Sequence, residues 1–221
     1  MIFAFYRNSK LATPSLMDAI YDLRHRVFVD TLGWSTLMKP DRRDRDQFDD
    51  DDALHVADIQ NDRVMAYSRL LPTTGPHLLS HVYPELLQGR PYPRAANIFE
   101  WTRLCARSEI GDGDALAARR LLIAIAELCL RFGIASLIAQ SDPGWVRRLT
   151  RLGWDARPLA VPVMFDGRQT LALEARVSER TVAKSRKRLG IDTEVLDIPS
   201  ICGPTEIKSK RSSVPILSPA G

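Results

Sequence analysis

Residues 96–140 place the tightest limit on the fold of this chain. "ANIFEWTRLCAR" is long, aromatic and branched and reads as a central strand. "DALAARRLLIAIAELCLRFG" opens on an aspartate, closes on a glycine and is apolar at helical spacing; "IASLIAQ" after it reads as a buried strand. A helix this apolar must be covered, and flanking strands supply the sheet that covers it. The other segments repeat the alternation. "MIFAFY" reads as a first strand, and Thr13 and Pro14 start a helix whose apolar positions Leu16, Ile20, Leu23 and Val27 run toward Gly33. "ALHVADI" and "RVMAYSRLL" flank "QND" as a hairpin. "LLSHVYPELL" reads as one short helix around Pro84, and "DPGWVRRLTRLG" as a helix ending at Gly153. "VPVMF" and "RQTLALEARV" form a hairpin about Asp166 and Gly167, and "SERTVAKSRKRLG" a basic last helix capped by Ser178. The expected class is α/β: a single-domain α-β-α sandwich with a mixed central sheet and helices on both faces. The domain is expected over 1–190, with 191–221 a loosely ordered extension in which Pro, Ser and Lys dominate toward the end.

Composition narrows the function classes. Hydrophobic residues make up 45% of 221, enough for one sizeable core. A net charge of +4 permits an acidic partner without requiring nucleic acid, and the basic stretch "AKSRKRLG" lacks the interleaved aromatics of an RNA surface. The first apolar run is too short for a signal peptide, and "LLIAIAELCL" is too short to span a bilayer. Cys105, Cys129 and Cys202 form no C-x-x-C pair, so neither a disulfide framework nor a zinc site is expected, and a reducing cytoplasm is.

The candidate chemistry centres on "RRDRDQFDDDDALH", residues 42–55. A calcium loop needs a glycine at its sixth position and a glutamate at its twelfth; counted from Asp44 these are Asp49 and His55, so no metal is expected. Asp50, Asp51 and Asp52 fit a solvated loop, whereas Phe48 would anchor Asp46 and Asp49 against the core. Arg24 and Phe28 share a helix face, Trp34 follows, and Arg69, Glu100 and Arg103 lie in strands. By residue type alone, a structural network in which each arginine neutralises an acid is the ordinary outcome.

Order and spacing say more. "LRHRVFVDTLGW", "DRDQFDDDDALH", "SRLLPTTGPHLLSHVYPELL" and "FEWTRLCARSE" resemble, in that order, the acyl-homoserine-lactone synthases of bacterial quorum sensing, over roughly residues 20 to 190. The shared motifs are R-x-x-x-F-x-x-x-x-x-W, E-x-D-x-F-D, R-L-L-P-T-T-x-P and W-E-x-[ST]-R. The chain departs from them at Asp44 (Glu in the family), Phe99 (Trp) and His55 (Tyr), and Asp44 is expected to be secondary.

The resemblance implies a fold like that of the N-acetyltransferases and a two-step acyl transfer without cofactor. The amine of S-adenosylmethionine attacks an acyl thioester, expected on acyl carrier protein with coenzyme A as alternative; its carboxylate then closes a lactone and expels methylthioadenosine. Arg24, Phe28, Trp34, Asp46, Asp49 and Arg103 are expected to bind S-adenosylmethionine. Arg69 completes the catalytic charge set, and Glu100 is the expected base, acting through a water. Trp101, Leu104, Leu122, Ile138, Ser141 and Met164 are candidates for the acyl pocket, beside Leu70, Ile125 and Leu137, which fit the core equally well. Arg119, Arg120, Arg147, Arg148 and Arg151 are candidates for docking the acidic carrier. An ordinary coenzyme A pyrophosphate turn would fall at "SEIGDG", where acidic residues disfavour it.

Overall fold

The computed structural model describes residues 1–107, 112–165 and 167–197, with side chains of 112–115 left aside. The strands are β1 (Ile2–Tyr6), β2 (Leu54–Gln60), β3 (Arg63–Pro72), β4 (Ile98–Ala106), β5 (Ser136–Ser141), β6 (Asp155–Pro158), β7 (Val163–Phe165), β8 (Arg168–Arg176) and β9 (Leu196–Asp197). The helices are α1 (Pro14–His25), α2 (Leu78–His81), α3 (Asp112–Arg131), α4 (Gly144–Arg151) and α5 (Glu179–Leu189). The sheet runs β6-β8-β5-β4-β3-β2-β1-β9, with β7 paired to β8. It is mixed: β4 and β5 run parallel and most other neighbours antiparallel. Helices cover both faces, as the α/β reading expects.

Thr13 Oγ1 accepts from Leu16 N at 3.2 Å and Pro14 opens α1, which buries Met17, Ile20, Tyr21 and Arg24. The helix does not run regularly to Gly33. It widens into a π-helical turn at Arg26–Thr31, and Gly33, at φ 72°, lets the chain reverse so that Trp34 N reaches Phe28 O at 2.9 Å. The segment "LLSHVYPELL" is not one helix. Pro84 lacks the N–H that would continue it, so α2 ends first and a 3₁₀ turn follows at Pro84–Leu87.

α3 lies over the other face. Leu121, Ile123, Ala124, Ile125, Ala126, Leu128 and Cys129 are fully buried, joined from α4, its C-terminal flank and α5 by Leu149, Trp154 and Val182. Glu127 on α3 holds the end of the described chain: its carboxylate accepts from Val195 N and Leu196 N at 3.1 Å each and from Arg186 at 2.6 Å. This seats β9 beside β1. The folded domain therefore extends past residue 190 to at least Asp197; residues 198–221, Cys202 among them, lie outside the described residues. Neither β6 nor β9 carries the alternating pattern that marks a strand in sequence.

Among the described residues no helix is long and apolar enough to cross a membrane. Cys105 and Cys129 are free core residues, and burial pushes the Cys105 thiol up to about 12.

His55, fully buried on β2, donates to or accepts from Tyr67 Oη at 2.7 Å, and burial lowers its pKa to about 4. Unfolded, the same imidazole titrates near 6.5, so between these values the unfolded chain binds more protons and stability rises with pH. As pH falls through that window the fold should lose about 3 kcal/mol, at about 1.4 kcal/mol per pKa unit. Thermal melts between pH 7 and 4 test this: the midpoint should drop, and a His55→Gln variant should show a flatter slope. Parallel slopes for the two proteins would count against it.

Candidate active site

The site forms where two strands part. β4 and β5 pair only from Ile98–Glu100 to Ser136–Ile138, yet β4 continues to Ala106 and β5 to Ser141. Beyond Glu100 a wedge opens between them. A bulge contributes: Arg69 pairs with Thr102 but Tyr67 with Cys105, so β4 carries an extra residue there. Arg103 sits in it at φ 55°, a left-handed conformation costing a non-glycine residue roughly 1–3 kcal/mol.

That conformation aims Arg103 into an ion-pair network on the α1 face. Its Nε reaches Asp44 at 2.8 Å and its Nη2 reaches Asp46 at 3.0 Å. Arg24, fully buried, donates to Asp44 at 3.1 Å and to Asp49 at 2.7 Å. Arg69, also fully buried, donates to Asp46 at 2.7 Å, to Asp49 at 2.6 Å and to Thr102 Oγ1 at 3.1 Å. Burial alone would raise the aspartate pKa values; Arg24 and Arg69 overcome it at Asp49, and Arg69 at Asp46, and hold both carboxyls below their usual range. Phe48 anchors the loop in the core and Asp50, Asp51 and Asp52 are exposed, as their pattern suggests.

A cavity of about 430 Å³ fills the wedge. At one end Phe28 and Trp34 stack at 5.1 Å, with the Arg103 guanidinium 5.6 Å from the Phe28 ring centre. At the other, Trp101, Leu104, Trp145 and Leu149 form an apolar wall. Trp101 is fixed from two sides, donating to Ser68 Oγ at 2.7 Å and stacking on Trp154 at 5.7 Å. Thr36 and Leu37 join this cavity to a polar recess lined by Asp44 and Asp46.

The sequence-derived site residues divide accordingly. Phe28, Trp34, Arg103, Trp101, Leu104 and Ser141 line the cavity, and Asp46 lines the recess. Arg24, Arg69 and Asp49 line neither; Arg24 pairs with Asp44 and Asp49, and Arg69 with Asp46 and Asp49, so in this structure they lie beneath Arg103 and Asp46. Leu122, Leu70, Ile125 and Leu137 are core, Ile138 points into the cluster with Leu79 and Leu86, and Met164 is 67% exposed; none of these lines the wedge. Glu100 is also outside the lining. Its carboxylate accepts from Leu78 N at 2.8 Å, from Leu79 N at 2.6 Å and from Gln140 Nε2, and burial raises its pKa against the pull of His77 and those donors. Of the docking candidates, Arg119, Arg147, Arg148 and Arg151 are exposed, while Arg120 is paired with the buried Asp58 at 3.2 Å. The stretch 108–111, on which the coenzyme A turn reading falls, lies outside the described residues.

Sequence reasoning undervalued Asp44, which bridges Arg24 and Arg103 and is only 1% exposed. Its spacing to Asp46 and Asp49 was the available signal. Trp145, Gln140 and Tyr83, all cavity residues, carried none. Among the described residues no cluster of His, Cys, Asp and Glu could hold a metal.

A mixed sheet opened by diverging parallel strands, with a long helix behind it, defines the acyltransferase fold of the N-acetyltransferase type. A Lactobacillus plantarum N-acetyltransferase shares that fold at TM-score 0.53 and 22% identity, covering 80% of this chain and 98% of its own. The match that carries chemistry is narrower. The autoinducer synthase profile matches residues 8–184. The isovaleryl-homoserine lactone synthase of Bradyrhizobium diazoefficiens is 31% identical over 195 residues, 88% of each chain. The acyl-homoserine-lactone synthase of Ralstonia nicotianae is 32% identical over 177 residues, 77% of this chain and 87% of its own. The CoA-dependent acyl-homoserine lactone synthase BjaI, solved with SAM and isopentyl-CoA, superposes at TM-score 0.81 and 30% identity, over 89% of this chain and 92% of that one. The chain belongs to the autoinducer synthase family, and is an acyltransferase of the acyl-homoserine-lactone synthase class.

Proposed function

We propose that this enzyme acylates the amine of S-adenosylmethionine from a short or branched acyl group carried by coenzyme A, then closes the homoserine lactone. The observation that carries the reading is one cavity with two unlike ends, charged and aromatic at Arg103, Phe28 and Trp34, apolar at Trp101 and Trp145. The first end suits a cation with a carboxylate and a nucleobase. Phe28 and Trp34 offer aromatic surface to the adenine, Arg103 retains an Nη1 that no described residue occupies, and Asp46 offers negative charge at the recess. The second end is closed by tryptophans and suits a short chain.

In the first step the amine nitrogen bonds to the thioester carbon and the carbon–sulfur bond breaks. An α-amino group has a pKa of roughly 8, so the attacking neutral amine needs no strong base. In the second, a carboxylate oxygen attacks the carbon beside the sulfonium and methylthioadenosine leaves.

Coenzyme A is favoured over acyl carrier protein by the dependence of BjaI, and of MesI at TM-score 0.80, on coenzyme A donors. The exposed Arg147, Arg148 and Arg151 on α4 keep the carrier protein as the competing donor. Assays with S-adenosylmethionine and matched acyl groups on each carrier decide. Methylthioadenosine and lactone should form with isovaleryl-coenzyme A, and at a lower kcat/KM with the carrier-borne group. No lactone from any chain length on either carrier would end the proposal.

A further inference from the structure

Gln140 occupies the crotch of the wedge, where neither family motif nor charge pattern points. Glu100 and Ile138 are the last register partners of β4 and β5, and Gln140, two residues on, shares their face. Its backbone is held on the far side by β8 opposite Ala172. Its side chain lines the cavity, and its Nε2 donates to Glu100 Oε1.

The orientation of this carboxamide is forced. Glu100 Oε1 also accepts from Leu79 N, and Oε2 from Leu78 N, so about three of the roughly four acceptor positions of the carboxylate are filled by N–H groups. An oxygen so placed takes the nitrogen of Gln140 and repels its carbonyl. Oε1 of Gln140 is thereby turned away from Glu100, and no described residue donates to it.

We propose that Gln140 Oε1 accepts a hydrogen bond from the reacting amine, and that Glu100 is the positioning residue that fixes this carboxamide. The inference rests on the acyl-transfer reading above. Gln140 lines the same cavity as Arg103 and Phe28 and as Trp101 and Trp145, so an amine held by the first pair and a thioester against the second meet beside it. As the nitrogen–carbon bond forms and the carbon–sulfur bond breaks, one amine proton ends on the departing thiolate. The other remains as the amide N–H, and it is this one that Gln140 holds, directing the nitrogen lone pair toward the carbonyl. Glu100 then acts through Gln140, in place of the base role its motif suggests.

The test is a double-mutant cycle on the full chain, with wild-type lactone formation established first. Absence of that activity would fail the functional reading and leave no cycle to measure. Gln140→Met keeps length but removes the acceptor, and should lower kcat about tenfold, the upper range for one neutral hydrogen bond, with KM for the acyl donor unchanged. Glu100→Gln alone should lower kcat by a similar factor. In the Gln140→Met background it should add less than about twofold, because coupled residues are not additive. Wild-type kcat in Gln140→Met overturns the proposal. So does a full Glu100→Gln effect in both backgrounds, since Glu100 would then act on its own. If circular dichroism shows that Glu100→Gln does not fold, Gln140→Met decides alone, through kcat against the donor KM.

Discussion

Replacing Asp49 with asparagine is expected to cost the fold about 3–5 kcal/mol, the range for removing one charge from a buried pair. Asp49 is 4% exposed and is shared by Arg24 and Arg69, which are themselves fully buried. Without its charge two guanidinium groups face a deficit that water cannot reach. A domain with 5–15 kcal/mol in hand loses a large share of it. Asp46→Asn should behave differently. Asp46 is the most exposed of the three network carboxylates, at 17% of its side chain, and lines the recess, so a smaller stability loss and a raised KM for S-adenosylmethionine are expected. Asp50→Asn, on the exposed part of the run, should stay within about 0.5 kcal/mol of wild type. Urea titrations of the three variants give the ordering. An Asp49 variant within 1 kcal/mol of wild type, or equal losses for Asp49 and Asp50, would refute the supporting role assigned to Asp49.

Trp145→Ala is expected to shift the enzyme toward longer acyl donors. Trp145 lies edge-on to Trp101 at 6.3 Å and is only partly buried, with the Arg148 guanidinium 5.1 Å from its ring centre. Trp101 is a poor place to cut, because its stack on Trp154 and its bond to Ser68 are part of the core. Removing the Trp145 indole leaves that framework standing and opens the apolar end. Three further methylenes, at about 0.8 kcal/mol each, amount to about 2.4 kcal/mol, or roughly fiftyfold in relative kcat/KM. Competition between a short and a long acyl-coenzyme A, read by the ratio of lactones, measures it. An unchanged ratio would remove Trp145 from the wall of the acyl pocket.

Much of the fold could be read from local pattern. The Thr13 cap with Pro14, the hairpin around "QND", the apolar α3 and the Ser178 cap all stand where their residue types place them. The charged members of the site were legible through spacing, since arginines and aspartates in a fixed order across four segments are rarely assembled by chance. Gln140 and Trp145 were not, because a glutamine at a strand end and a tryptophan on a polar helix have no local distinction. Nor does local pattern say which apolar residues line the cavity: Leu122, Ile138 and Met164 are apolar and well spaced, but strand parity and helix facing place them in the core or in solvent.

By itself the sequence determined the α/β class, the family and the identity of the charged residues, all of which depend on residue type and order along the chain. Only the tertiary structure decided which charges line the cavity and its recess and which lie beneath them. That depends on where the β4–β5 hydrogen-bond ladder stops and on the bulge that turns Arg103 toward Asp44 and Asp46. A ladder ends where packing on both faces of the sheet makes it end, and such packing sums contacts from residues far apart in the chain, which no local stretch records.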